Sequence, residues 1–165
     1  MNPTHLQLTD FAKVIVGCPP AALTSTAGDG DFVSMKGYSR ATVIIAVDNG
    51  STVTGGAVTL IQAKEVAGST TKALGFSKMY ANTDVGASDT LVETAVTNGT
   101  FTTSTTNDKN LLYVIEIDAE SLDRDAGFDC FRVDVASMAN AVGCVLYILH
   151  GTRYASPLAS SAITD

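Results

Sequence analysis

The chain has 165 residues, enough for one domain with a real core and no need of a disulfide scaffold. Its composition, 45% hydrophobic and only 16% charged, excludes a disordered chain of the high-charge kind and leaves Ser, Thr, Asn and Gly to supply most of the polar surface. The net charge is -7, and the 10 Lys and Arg are scattered without a basic stripe, which excludes a nucleic-acid backbone as the direct partner.

Residues 1–10 show no basic region followed by an apolar segment, so they read as a flexible arm and not as a secretory signal. Residues 10–17 read as a first strand with Phe11, Val14 and Val16 apolar. Pro19 and Pro20 follow, and two prolines cannot both sit in a regular ladder, so the chain leaves the sheet there or runs along an edge. Residues 21–31 are small and polar, a loop or extended arm. Their Gly28-Asp29-Gly30-Asp31 run lacks the Lys and the following Ser or Thr of a phosphate loop. After a short strand over 32–35, residues 38–48 alternate Ala41, Val43, Ile45 and Val47 with Thr42, Ile44 and Ala46. Both faces are apolar, which predicts a central strand or one covered on both sides.

Residues 57–67 alternate again, with Val58, Leu60 and Gln62 on one face, and Leu74 and Phe76 lie two apart in the next short strand. Residues 90–96 and 99–105 read as two thin strands joined by an Asn98-Gly99 turn. Residues 111–118 place Leu111, Tyr113, Ile115 and Ile117 on one core face, and residues 121–125 make a turn or a single helical turn. Residues 128–136 alternate Phe131, Val133 and Val135 with Cys130, Arg132 and Asp134. Residues 140–149 are apolar on both faces and short, which favours a buried strand over a helix; the run is half the length of a membrane-spanning helix, so the chain reads as soluble. The tail beyond Gly151 is small and polar. Neither tail carries enough apolar residues to anchor itself, so residues 1–10, residues 157–165 or both are expected to become ordered only on a partner.

About eight or nine short strands divided by Gly, Asn, Asp and Ser turns predict an all-β fold, an antiparallel β-sandwich of jelly-roll-like form with extended termini. The expected division is an N-terminal arm over 1–10, a single β-sandwich domain over 11–154 and a C-terminal tail over 155–165.

Candidate chemistry is sparse. Of the 3 cysteines, Cys144 reads as a buried small hydrophobe in an apolar run, and a bridge from it to Cys130 is compatible with the pattern without being required. Of the 2 histidines, His150 ends a core strand; a local hydrogen bond explains it better than a triad with a nucleophile and an acidic orienter. The acidic run around residues 118–129 supplies the metal candidates Asp123, Asp125 and Asp129. It has the oxygen ligands and the glycine of a calcium loop but lacks the terminal Glu and the flanking helices, so it reads first as a solvated turn. No catalytic residue, cofactor or metal is assigned.

Residues 122–129, the run Arg132-Val133-Asp134-Val135, residues 145–154, and residues 57–64 with Lys72-Ala73-Leu74 resemble small head-associated structural proteins of tailed bacteriophages. The resemblance implies a virion structural protein on the capsid exterior, assembled in the host cytoplasm. Such a capsid decoration or cement protein, or another minor head component, contacts the major capsid protein and forms a homo-oligomer, commonly a trimer. The alternatives are a head-tail or tail component, a host-receptor or glycan-binding β-sandwich displayed on the particle, and a hydrolase built around His150 or the acidic turn.

Overall fold

A computed structural model describes residues 7–24 and 28–152. Residues 1–6 of the expected arm over 1–10, residues 25–27 of the expected loop over 21–31, the last two residues of the expected domain and the whole expected tail over 155–165 lie outside the described residues. Among those described, the chain is all-β: eleven strands in two antiparallel sheets, with one short helix, α1 (Leu8–Phe11), and two single 3-10 turns, Ala119–Ser121 and Arg124–Ala126.

In chain order the strands are β1 (Ala12–Ala22), β2 (Val33–Ser34), β3 (Tyr38–Asn49), β4 (Ala57–Ala63), β5 (Thr71–Leu74), β6 (Lys78–Asn82), β7 (Val92–Ala95), β8 (Thr100–Thr102), β9 (Lys109–Asp118), β10 (Cys130–Val135) and β11 (Ala141–Thr152). One sheet has six strands in the order β1-β11-β3-β9-β6-β7. The other has the order β2-β10-β4-β5, with β8 also paired to β4.

The period-2 pattern of the sequence places the core. Ala41, Val43, Ile45 and Val47 of β3 and Leu111, Tyr113, Ile115 and Ile117 of β9 are buried, and they meet Val58 and Leu60 of β4 and Phe131, Val133 and Val135 of β10 in one cluster. The diproline falls where expected. β1 is an edge strand paired only to β11, and its register shifts between Val16 and Cys18 and again between Cys18 and Ala21, so the prolines sit in an irregular stretch where no ladder donor is needed.

The Asn98-Gly99 turn forms, with φ of 57° and 65° at its two central residues and Thr97 bridged to Thr100. The strands on either side of it do not form the expected hairpin. β7 pairs with β6 in one sheet and β8 pairs with β4 in the other. The turn chemistry sets a local reversal, while the partners of the two strands are β6 and β4. Leu74, the last residue of β5, lies opposite Leu60, and Thr100, the first of β8, lies opposite Thr59. β5 and β8 therefore run end to end along one edge of β4, and residues 75–99 are an excursion that carries the β6–β7 hairpin to the other sheet. Gly99 lies against Gly75 where the excursion closes; a Cβ on Gly99 would stand 3.2 Å from the Gly75 Cα.

Two buried tyrosines tie the sheets together. Tyr147 projects inward from β11, its ring 5.4 Å from that of Phe131 in an edge-to-face arrangement, and its hydroxyl accepts the Val133 N–H at 3.0 Å. β2 has already ended at that point, and Gly30 N–H donates to the Val133 carbonyl at 2.7 Å, so side chain and loop together complete the edge of β10. Gly17 and Gly30 have no room for a side chain because the Tyr147 ring and hydroxyl occupy the space. Tyr113 does the same from β9: its hydroxyl accepts the Ser104 N–H at 2.7 Å just beyond β8, and its ring lies 5.1 Å from Phe101.

Tyr147→Phe leaves the buried Val133 N–H without an acceptor and is expected to cost about 1–3 kcal/mol in urea denaturation. Gly30→Ala should be better tolerated on the Tyr147→Phe background than on the wild type, which a double-mutant cycle measures.

Burial raises the Tyr113 and Tyr147 phenols above the ordinary tyrosine range. In the unfolded chain these phenols ionise near pH ~10, while the fold holds their protons. The stabilisation is therefore fully present below that pH and is lost as pH rises through the folded values. Thermal melts should show a fall in melting temperature above about pH 10 that is smaller in Tyr147→Phe.

Candidate functional site

The acidic turn is occupied by lysines. Asp123 accepts the Ala126 N–H at 3.3 Å, capping the 3-10 turn, and pairs with Lys72. The Lys72 hydrogen bond holds its carboxyl below the usual range. Lys72 also lies over the Phe128 ring, 4.4 Å from its centre. Asp129 pairs with Lys36 at 3.0 Å and accepts the Cys130 thiol at 3.1 Å. Asp125 is exposed within the turn. Asp123 and Asp129 thus face different cations, and among the described residues no group of three His, Cys, Asp or Glu is placed to hold a metal ion.

His150 lies on the outer face of the six-stranded sheet, where β11, β3 and β9 put His150, Thr42 and Glu116 close together. The Thr42 hydroxyl contacts both Glu116 carboxylate oxygens at 3.0 Å and His150 Nε2 at 3.1 Å. A hydroxyl has one proton to give. Here it goes to the carboxylate, so the imidazole donates to Thr42, the reverse of the polarity a nucleophile and its base require. The group is a surface hydrogen-bond relay that pins three strands.

All three cysteines are free. Cys130 belongs to the five-stranded sheet and Cys144 to the outer face of the six-stranded one, so the bridge that the sequence left open is not made. Cys144 is also part-exposed and not buried as expected, because its half of the β11 alternation faces outward. Burial, with the Asp129 carboxylate beside it, pushes the Cys130 thiol up to about 12, and burial raises Cys18 as well.

The outer faces of the two sheets differ in kind. On the five-stranded sheet Arg132 pairs with Asp134 at 2.7 Å, lies 3.7 Å from Asp29, and stacks on Phe32 at 4.9 Å. Burial raises Asp134, with the like charge of Asp29 adding to it against the pull of Arg132. A recess of about 470 Å³ beside this group is lined by Gly30, Asp31, Phe32, Ile61 and Arg132 among others, but the guanidinium is already engaged by two carboxylates.

The six-stranded sheet presents an apolar outer face. Register sets Val16, Leu146, Ile44, Val114 and Tyr80 side by side in one row across β1, β11, β3, β9 and β6. Val14, Val16 and Val142 are 47%, 48% and 47% exposed. At one end the face dips into a groove of about 290 Å³ between Pro20 and Val85, floored by Ala46, Leu112, Val142 and Cys144. The sequence signal for this surface was the second apolar face of β3 and β11, which the chain leaves bare. Among the described residues no helix is long and apolar enough to cross a membrane.

The fold and its surfaces define an all-β, two-sheet sandwich with one polar and one apolar exterior. No family model matches the chain, and comparison with curated proteins finds no match. Among solved structures, the crystal structure of the SPBc2 prophage-derived protein YomS is similar at 16% identity, covering 85% of this chain and 93% of that one with a TM-score of 0.46. A likeness at that level adds no weight to an assignment of fold or function.

Because Lys72 and Lys36 already neutralise Asp123 and Asp129, millimolar calcium is expected to leave the melting temperature unchanged; a calcium-dependent rise would assign the acidic turn as a metal site. At pH 8 thiol reagents should modify Cys144 in the native protein and reach Cys18 and Cys130 only after unfolding, as peptide mapping of the labelled chain would show.

Proposed function

We propose that this protein is a non-enzymatic structural subunit of a tailed-phage virion that decorates or stabilises the capsid shell through contacts with the major capsid protein. The observation that carries the reading is the broad apolar outer face of the six-stranded sheet. A contiguous apolar patch of this kind marks a surface that is covered in the working assembly.

Two further features support it. The orders β1-β11-β3-β9 and β2-β10-β4 with β5 and β8 support a jelly-roll reading of the two-sheet sandwich, in which the β6–β7 hairpin is an insertion. Jelly rolls serve capsid and lectin domains among others, and the fold by itself names none of these roles. The resemblance of residues 122–129 and 145–154 to phage head proteins supports the capsid role and implies the virion exterior as the location and a homo-oligomer, commonly a trimer, as the form. The cations also fit a protein partner better than a phosphate backbone. Lys36, Arg40, Lys72, Lys78, Lys109 and Arg132 each pair with a carboxylate, so they form no free basic stripe.

Quantitative mass spectrometry and antibody labelling of purified particles test the reading. Copies in proportion to the capsomers, spread over the shell, are the expected result. A single ring at one vertex would reassign the protein to the head-tail junction or tail, and absence from particles would overturn the virion role.

A further inference from the structure

We infer that the outer face of the six-stranded sheet packs face to face against the same face of a second copy of this chain. The inference rests on the assembly reading above and assigns the surface through which copies meet.

The strands of this sheet are written for burial on both sides. β3 and β11 place Val43, Ile45, Val145 and Tyr147 inward and Ile44 and Leu146 outward, and the sandwich covers only the inward set. The opposite exterior, on the five-stranded sheet, shows what a solvent face of this protein looks like: Arg132 and Asp134 occupy the equivalent central positions. The difference is one of design within a single chain, and it marks the apolar exterior as a contact surface.

Its size suits a stable pair. Four long strands and two short ones, spaced by ~4.8 Å and rising ~3.4 Å per residue, present a footprint on the order of 800 Å². That matches the roughly 800 Å² per partner of a standard protein–protein interface. The shape fits as well, since two pleated sheets stack at about 10 Å with their side chains interdigitated.

Charge selects a copy of the same chain over an oppositely charged partner. The protein carries a net charge of -7, so most of its surface repels a second copy. The central row from Val16 to Tyr80 holds no charged side chain. Asp48 stands at one end of the face and the Arg40–Asp118 pair at the other; Glu116, one row from the centre, is engaged by the Thr42 hydroxyl, and Glu93 at the far edge is paired with Lys78. A basic partner would find a single carboxylate beside the row, already held by Thr42, whereas a two-fold axis through the row lays apolar on apolar and keeps Asp48, Asp118 and Glu93 at the rim.

The test combines sedimentation of the full chain at micromolar concentration with maleimide labelling of Cys144, which lies one row from the centre of the face. The wild type is expected to have the mass of two chains and to label several-fold more slowly than Ile44→Asp. That variant should run as a single chain with an unchanged β circular-dichroism spectrum. Val16→Asp, on the half-exposed edge strand, gives the same readout if Ile44→Asp does not fold. A single-chain wild type whose Cys144 labels as fast as in the variants overturns the inference. So does an assembly, a trimer included, whose mass survives both substitutions; in that case the capsid reading stands and copies meet elsewhere. Loss of the protein from particles would instead sink the capsid reading without touching the solution pair.

Discussion

Everything in this molecule is hung between two tyrosines. Tyr147 and Tyr113 leave the six-stranded sheet, cross the core and end with their hydroxyls on backbone N–H groups of Val133 and Ser104, at places where the five-stranded sheet runs out of strand partners. A buried donor left unpaired is costly, so each hydroxyl fixes the distance and the lateral offset between the sheets as well as adding ring contacts to Phe131 and Phe101. The absence of side chains at Gly17 and Gly30 follows from that placement, because the loop and β1 must pass over the Tyr147 ring at backbone distance.

With the interior set in this way, the chain differentiates its two exteriors. The five-stranded sheet is finished with an ion cluster and a cation stacked on an aromatic ring, groups that engage one another. The six-stranded sheet is finished across its middle row with Val16, Leu146, Ile44, Val114 and Tyr80, and with polar groups towards its ends. The remaining surface is composed mainly of Ser, Thr and paired charges. The aliphatic one reserves a single direction for association.

Much of this was legible in the sequence where alternation was long and strongly apolar. β3, β4, β9, β10 and β11 could be placed as strands, β9 with its core face, and the diproline located an irregular edge. Legibility failed where strands are short and exposed. β7 has four exposed residues and no apolar period, so its partner could not be read, and the Asn98-Gly99 turn suggested a hairpin that long-range pairing overrides. The acidic turn was visible as a cluster, but its meaning depends on Lys36 and Lys72, which pairing of distant strands brings to it. The double apolar face of β3 and β11 was read as burial on both sides; what the sequence pattern could not say is that one of the two covers lies outside this fold.

The excursion over residues 75–99 has an evolutionary consequence. Its base is already closed, since Leu74 and Thr100 take successive places along β4 and Gly75 meets Gly99. The framework therefore does not register how long the intervening segment is, and the entropy of closing a longer one grows only slowly with length. Only Met79, Val96 and the partly buried Phe76 and Ala81 root it in the core. A lineage could exchange the β6–β7 hairpin for a different segment, or enlarge it into a new lobe, while retaining those anchors and leaving the sandwich as it is. The junction is a ready-made socket for diversity at one margin of an otherwise fixed surface.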